Sequence, residues 1–200
     1  QEQGSDGKVT DSMMWLLHGE PGTGKSEVLH MVKDLFQEVC GWEQGLDFQI
    51  LALQAVTADL LAGDTIHHAL GINPFPGSGD ADGKKSQRQA DVAKQVSQWR
   101  WIFIDEISMV SAELFAELER RVSQAARPSG TYKHRPDKSP RPFGGFNVLL
   151  FGDWWQLPPV KKIGFYSNPF AREMEYTEQV AMAWFWRQTK DSIQGAHELV

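Results

Sequence analysis

Four short apolar runs, each closing on small or polar residues, set the rhythm of the chain. Met13-Met14-Trp15-Leu16-Leu17 stops at a Gly-rich turn, and Phe48-Gln49-Ile50-Leu51-Ala52-Leu53 stops before Gln54-Ala55. Trp101-Ile102-Phe103-Ile104 runs into Asp105-Glu106, and Phe146-Asn147-Val148-Leu149-Leu150-Phe151 runs into Gly152-Asp153. Runs of this length bounded by turn residues predict buried strands. Between them the period lengthens. Ser26 to Cys40 carries Val28, Leu29, Val32, Leu35, Phe36 and Val39 on one stripe, the pattern of an amphipathic helix. Shorter or more polar helices are predicted over Thr57–Leu61, over Gln87–Gln98 and over Ala112–Ala126. A last helix, Thr177–Lys190, carries Val180, Trp184, Phe185 and Trp186. Residues 73–85 and 127–142 are rich in turn formers and read as loops. No internal repeat is present. Strands alternating with helices predict an α/β fold with a mainly parallel sheet flanked by helices. In such sheets a ligand sits beyond the carboxyl ends of the strands, and three of these runs end there in chemically loaded residues.

Composition narrows the picture. With 200 residues and 41% hydrophobic side chains, the chain can bury a core, which excludes global disorder. One domain is expected over residues 13–200, led in by a polar segment, 1–12. The first residue is Gln1, and the last three, Glu198-Leu199-Val200, carry no stop signal, so a piece of a longer protein is expected. Cys40 is the only cysteine, so neither an internal disulfide nor a zinc framework is available, and an intracellular setting is the natural reading. No run approaches the ~20 apolar residues that cross a membrane. A net charge of −6 argues against a nucleic-acid-binding surface over the whole domain, while leaving room for a local groove.

The candidate chemistry begins after the first strand. Gly19-Glu20-Pro21-Gly22-Thr23-Gly24-Lys25-Ser26 fits G-x-x-x-x-G-K-[ST] without a mismatch, between a predicted strand and a predicted helix. Glycines let the backbone wrap an anion so that successive N–H groups point inward, and the helix adds its positive N-terminal end. Lys25 would place a cation on the β- and γ-phosphates of ATP, and the Ser26 hydroxyl can ligate Mg²⁺. Asp105, at the end of a buried strand, can hold the same Mg²⁺, and Glu106 beside it can accept a proton from an attacking water. Such a pair can also simply cap the next helix. Gln156, just past another strand end, can hydrogen-bond a γ-phosphate or its attacking water. Pro158 and Pro159 then fix the exit of the chain. Taken alone, that segment is equally an ordinary strand-to-turn connection.

Asp105-Glu106-Ile107-Ser108-Met109-Val110, then Phe143-Gly144-Gly145, then Gly152-Asp153 with Gln156-Leu157-Pro158-Pro159-Val160 resemble the Pif-type (RecD-like) DNA helicases of superfamily one. Ala62-Gly63-Asp64-Thr65-Ile66-His67 with Gly71-Ile72 is similar to the motif that follows the second strand in that family. The resemblance runs from about Leu16 to Val200 in the expected order. It implies a RecA-like P-loop NTPase fold, ATP and Mg²⁺ as cofactors, and 5′→3′ movement on single-stranded DNA and at duplex junctions. It also implies roles in repair, recombination and telomere maintenance, and a nuclear or mitochondrial location in a eukaryote; the oligomeric state is not legible in the sequence, and a monomer is the expectation. By position, Lys25 and Thr23 would bind phosphates, Ser26 and Asp105 would hold Mg²⁺, Glu106 would be the base and Gln156 the γ-phosphate sensor. Two departures stand out. Gln54-Ala55 replaces the Thr-Gly usual before the second helix, so a DNA-backbone contact there is not carried over. Residues 1–12 hold no clear match to the adenine-reading glutamine motif. The second motor domain and its arginines are expected outside this chain.

Other signals have plain readings. His67 and His68 fit a structural role at a helix start, with contact to DNA as the alternative. Lys133, His134, Arg135, Lys138 and Arg141 form a basic loop that is either solvated or set against phosphates. Trp184, Phe185 and Trp186 fit core packing better than base stacking. Of Trp154 and Trp155, one is expected in the core and the other towards a DNA path. Two other functions compete: a ring-forming AAA-type remodelling ATPase, which can share this phosphate loop, and a nucleotide-binding remnant of a mobile-element helicase. Gln156-Leu157-Pro158-Pro159 argues against the first, and intact Lys25, Asp105, Glu106 and Gln156 against the second.

Overall fold

The computed structural model describes residues 12–73, 90–126, 133–135, 138–160, 162–164, and Gln179, Met182 and Phe185. The polar lead-in, most of the 73–85 loop, the start of the 87–98 helix, residues 127–132, Trp184, Trp186 and most of the final helix lie outside these residues.

Four of the five described strands lie where an apolar run predicts them, within a residue or so; the short third strand, at Asp64–Thr65, falls where no strand is predicted. β1 is Met14–His18, β2 Phe48–Ala52, β3 the short Asp64–Thr65, β4 Trp101–Ile104 and β5 Asn147–Gly152. They form one sheet in the order β1-β5-β4-β2-β3, and every pairing is parallel. The helices are α1 (Lys25–Asp34), α2 (Ala55–Leu60), α3 (Ile66–Ala69), α4 (described over 90–96) and α5 (Ala112–Ala125). Sequence order and spatial order differ: β4 pairs with β2 on the side away from β3, and β5, the last described strand, inserts between β1 and β4.

The strand period of two separates two cores. Leu51, Ile102, Ile104, Val148 and Leu150 face one side, where Phe115, Leu118 and Val122 of α5 cover them with Ile66 and Leu70. Phe48, Ile50, Phe103 and Phe151 face the other side, under Leu29 and Phe36. There the Phe36 ring meets Trp42, Phe48, Trp101 and Phe103 at centroid separations of 4.7–5.6 Å, within the range of favourable aromatic pairs. Phe185 is buried against Phe115 and Trp154, so its core-packing reading holds.

The stripe predicted over Ser26–Cys40 needs correction. Leu29 and Phe36 are buried, but Val28, Leu35 and Val39 are exposed, Val39 by 74%. The helix changes from α to π geometry over Leu35–Val39, with Cys40 N–H donating to the Leu35 carbonyl. Val28 lies in the regular turns of α1, so its exposure reflects a narrower buried face set by Leu29 and Phe36; the wider turn shifts the 3.6-residue phase only from Leu35 onward. The basic-loop reading also needs correction at Arg141, which is 3% exposed. Its N–H donates to the Lys133 carbonyl across a small hairpin closed by the His134–Pro140 bridge. Lys133 Nζ and the Arg135 guanidinium donate to nearby carbonyls, so part of the basic charge braces the loop itself.

Ser111 caps α5, its Oγ accepting from Leu114 N–H at 3.1 Å. Further along that helix, buried Glu119 holds the turn before β5. Its Oε1 accepts from Ser123 Oγ at 2.6 Å and from Phe143 N–H at 3.1 Å. Phe143 and Gly144 both have positive φ, and a Cβ at Gly144 would stand 2.5 Å from that of Ala126. Only glycine fits there. Burial pushes the Glu119 carboxyl above its ordinary value, against the two accepted hydrogen bonds. Glu119→Gln keeps an acceptor without a buried charge and should leave denaturant stability near neutral pH unchanged or raised. Glu119→Ala strands the Phe143 N–H and should cost about 1–3 kcal/mol, read from urea unfolding of the two variants beside the native protein.

Candidate nucleotide site

Insertion of β5 brings the ends of β1, β5 and β4 side by side, and each end carries candidate chemistry. β1 passes into the glycine loop. Gly22 and Gly24 take positive φ of 77° and 87°, and Gly24 is the residue from which α1 starts. A Cβ at Gly19 would stand 2.7 Å from Thr23 Oγ1, so this residue too must stay small. Thr23 Oγ1 donates to the Glu20 carbonyl at 2.8 Å. Lys25 Nζ donates to the carbonyls of Gly19 at 2.7 Å and Glu20 at 2.9 Å, so the loop is braced by the same ammonium that the motif assigns to phosphates. Ser26, one residue into α1, is exposed at its first turn.

β4 delivers the acidic pair. Asp105 is buried, its N–H donating to the Leu51 carbonyl of the next strand and its Oδ1 accepting from Glu106 N–H at 2.9 Å. Burial raises its pKa; the Glu106 N–H and the charges of Lys25 and His30 oppose that rise. Glu106 stands at φ 52°, ψ 45°, a left-handed conformation that a side-chain-bearing residue adopts at a cost. It makes no side-chain capping bond to the short helix that follows, which removes the capping alternative. Its pKa is also raised, first by burial and then by the charge of Asp105, with Lys25 opposing and Asp153 adding to the rise. Glu106 Oε2 is buried and has no hydrogen-bond partner among the described residues.

β5 delivers the third member. Gln156 is half-buried in a turn built on Asp153. Asp153 is completely buried, with Oδ1 accepting from Trp155 N–H at 2.9 Å and its carbonyl from Gln156 N–H at 3.1 Å. Trp154 packs against Phe185 while Trp155 is 82% exposed, which decides between the two tryptophans. Asp153 belongs to a recognised motif, but its charge beside Glu106 and its second buried oxygen, unpartnered among the described residues, add it to the candidate site, which sequence reasoning did not do. A buried acid two residues after a strand's apolar run was the available signal.

A divalent cation fits this donor set. Buried Asp105 and half-buried Glu106 lie close enough to the loop lysine to feel its charge, and Glu106 Oε2 and Asp153 Oδ2 are without hydrogen-bond partners among the described residues. Among the described residues no three acidic, His or Cys side chains form a closed cage, as expected for Mg²⁺ held by one or two protein groups, water and substrate phosphates. Elsewhere, Asp64 Oδ2 pairs with His68 Nδ1 at 2.6 Å and Thr65 Oγ1 accepts from His68 N–H, a structural role. Burial lowers the His67 pKa. Gln54 begins α2, and its Nε2 lies 3.7 Å from Met109 Sδ.

A parallel sheet with a phosphate loop after β1, acids after β4 and a polar turn after the strand between them defines a P-loop domain of the RecA-like class. The profile of the PIF1-like helicases matches residues 7–193, and the chain belongs to that family. ATP-dependent DNA helicase RRM3 of Saccharomyces cerevisiae is 36% identical over 147 residues, covering 72% of this chain and 18% of its own length. ATP-dependent DNA helicase PIF1 of Homo sapiens is 31% identical over 175 residues, covering 83% of this chain and 24% of its own. The crystal structure of Pif1 helicase from Bacteroides in complex with ADP-AlF3 and ssDNA matches with a TM-score of 0.52 and 26% identity, over 76% of this chain and 31% of that one. The chain thus spans 18% to 31% of the length of these relatives. Family membership sets aside the ring-ATPase alternative.

Lys25→Ala should remove most affinity for Mg-ATP, because the phosphates lose the loop's cation. Equal affinities of the native and variant proteins in titration calorimetry would contradict the site.

Proposed function

We propose that this chain is the first motor domain of an ATP-dependent DNA helicase that couples Mg-ATP hydrolysis to 5′→3′ movement on single-stranded DNA and to duplex unwinding. The observation that carries this reading is that the segments bearing Lys25, Glu106 and Gln156 follow three neighbouring parallel strands, with exposed Trp155 in the same turn as Gln156. The loop N–H groups and Lys25 bind the β- and γ-phosphates. Ser26 and Asp105 would hold Mg²⁺, which neutralises charge on the phosphates when bound. Glu106 takes the proton of the attacking water; burial beside other carboxylates raises its basicity for that task. The Gln156 amide orients that water or the γ-phosphate and transmits the difference before and after cleavage to its turn. Trp155, Leu157 and Val160 are exposed there, and an exposed aromatic offers a stacking surface to bases of either sequence. A second domain closing on the nucleotide supplies the arginine that completes the site. The setting is intracellular, and in a eukaryote nuclear or mitochondrial.

In the full-length protein, Glu106→Gln should preserve nucleotide binding and slow hydrolysis by about 10²–10⁴-fold. Gln156→Ala should lower single-stranded-DNA-stimulated turnover more than nucleotide affinity; stimulation equal to that of the native protein would contradict the sensor role. The chain expressed alone should bind nucleotide without unwinding a 5′-tailed duplex. Lys25-dependent unwinding by this chain alone would show that one domain suffices.

A further inference from the structure

We propose that His18 is a positioning residue that couples the phosphate loop to the Gln156 turn. The inference rests on the nucleotide-hydrolysis reading above and adds a residue that no motif supplies. His18 is the last residue of β1, directly before Gly19 of the loop. Its Nε2 accepts a hydrogen bond from Trp154 N–H at 3.2 Å, and its ring lies nearly parallel to the Trp154 indole, 19° between planes at a centroid separation of 6.0 Å. Because Nε2 accepts, the neutral ring carries its proton on Nδ1.

The turn itself shows why this bond matters. Trp155 and Gln156 donate their N–H groups to Asp153, within the turn. Trp154 N–H instead reaches across to another strand, so His18 sets the orientation of the turn relative to the phosphate loop. A second tie lies beside it: Gly19 N–H donates to the Gly152 carbonyl at 3.3 Å. The Gly19 carbonyl, on the other side of that residue, accepts from Lys25 Nζ at 2.7 Å. A continuous set of contacts therefore runs from the phosphate-binding ammonium through Gly19 and His18 to Trp154, two residues before Gln156. When Lys25 exchanges its loop carbonyls for phosphate oxygens, Gly19 loses a bond, and His18 passes the adjustment to the sensor turn.

The test uses the full-length protein, with two substitutions that separate the ring from the acceptor. His18→Phe keeps a flat ring against Trp154 and removes the acceptor. His18→Gln offers Oε1 at nearly the same reach and removes the ring. His18→Phe should lower DNA-stimulated kcat by about three- to tenfold, the worth of one neutral hydrogen bond, with nucleotide affinity within about twofold of the native value by the same reasoning. His18→Gln should restore most of the loss. Combining His18→Phe with Gln156→Ala should add little to Gln156→Ala alone, because both act through one element. Native kcat in His18→Phe would overturn the inference, as would effects of the two substitutions that multiply independently, or a loss that His18→Gln does not relieve. Turnover that requires Lys25 but ignores His18 would overturn this inference alone. Turnover that ignores Lys25→Ala would overturn the nucleotide reading and this inference with it.

Discussion

The site depends on the place of β5 in the sheet. Had β5 paired outside β1, the phosphate loop and the acidic pair would follow adjacent strands, and Gln156 would lie beyond the edge of the site. Because β5 lies between β1 and β4, its carboxyl end fills the gap between loop and acids. Parallel pairing makes this possible, since all five strands then deliver their ends to one edge. Close packing secures it: a Cβ at Gly152 would come within 2.6 Å of Ile107 Cγ2, so the end of β5 presses directly on the turn after Glu106.

That closeness has an electrostatic consequence. Asp105, Glu106 and Asp153 are brought together away from the surface, and each unit of negative charge raises the cost of the next. The Glu106 pKa shows it, raised first by burial and then by the charges of Asp105 and Asp153, whereas the rise at Asp105 comes from burial alone. Lys25 opposes it, though its Nζ is also engaged with two loop carbonyls. Left-handed Glu106 and the buried oxygens without partners carry a cost that a purely structural strand end would not need. A cation and a nucleotide are the partners that would relieve it.

Much of this was legible in the sequence. The bounds of β4 coincide with the apolar run, α5 follows its amphipathic pattern, and the phosphate loop was complete in eight residues. Local patterns decide such features. The strand order was not legible, because alternation of strands and helices implies parallel pairing without saying which strand inserts where. The buried face of α1 is narrower than its apolar stripe, and the π turn after it shifts the phase beyond Leu35, neither of which a count at a constant 3.6 residues per turn reveals. The sequence places Arg141 in a basic loop, solvated or set against phosphates, whereas its side chain is buried and its N–H pairs with the Lys133 carbonyl. His18 and Asp153 escaped for a common reason: their roles rest on contacts between strand ends far apart in sequence, 136 residues in the case of His18 and Trp154.

The central claim is that one γ-phosphate position is shared by the ends of β1, β4 and β5. A crystal structure of this chain with Mg²⁺ and a non-hydrolysable ATP analogue tests it most directly. The account predicts a terminal phosphate within hydrogen-bond distance, about 2.7–3.2 Å, of both Lys25 Nζ and the Gln156 amide, with Glu106 facing its free side. A nucleotide whose terminal phosphate contacts Lys25 while Gln156 points away into solvent would contradict it.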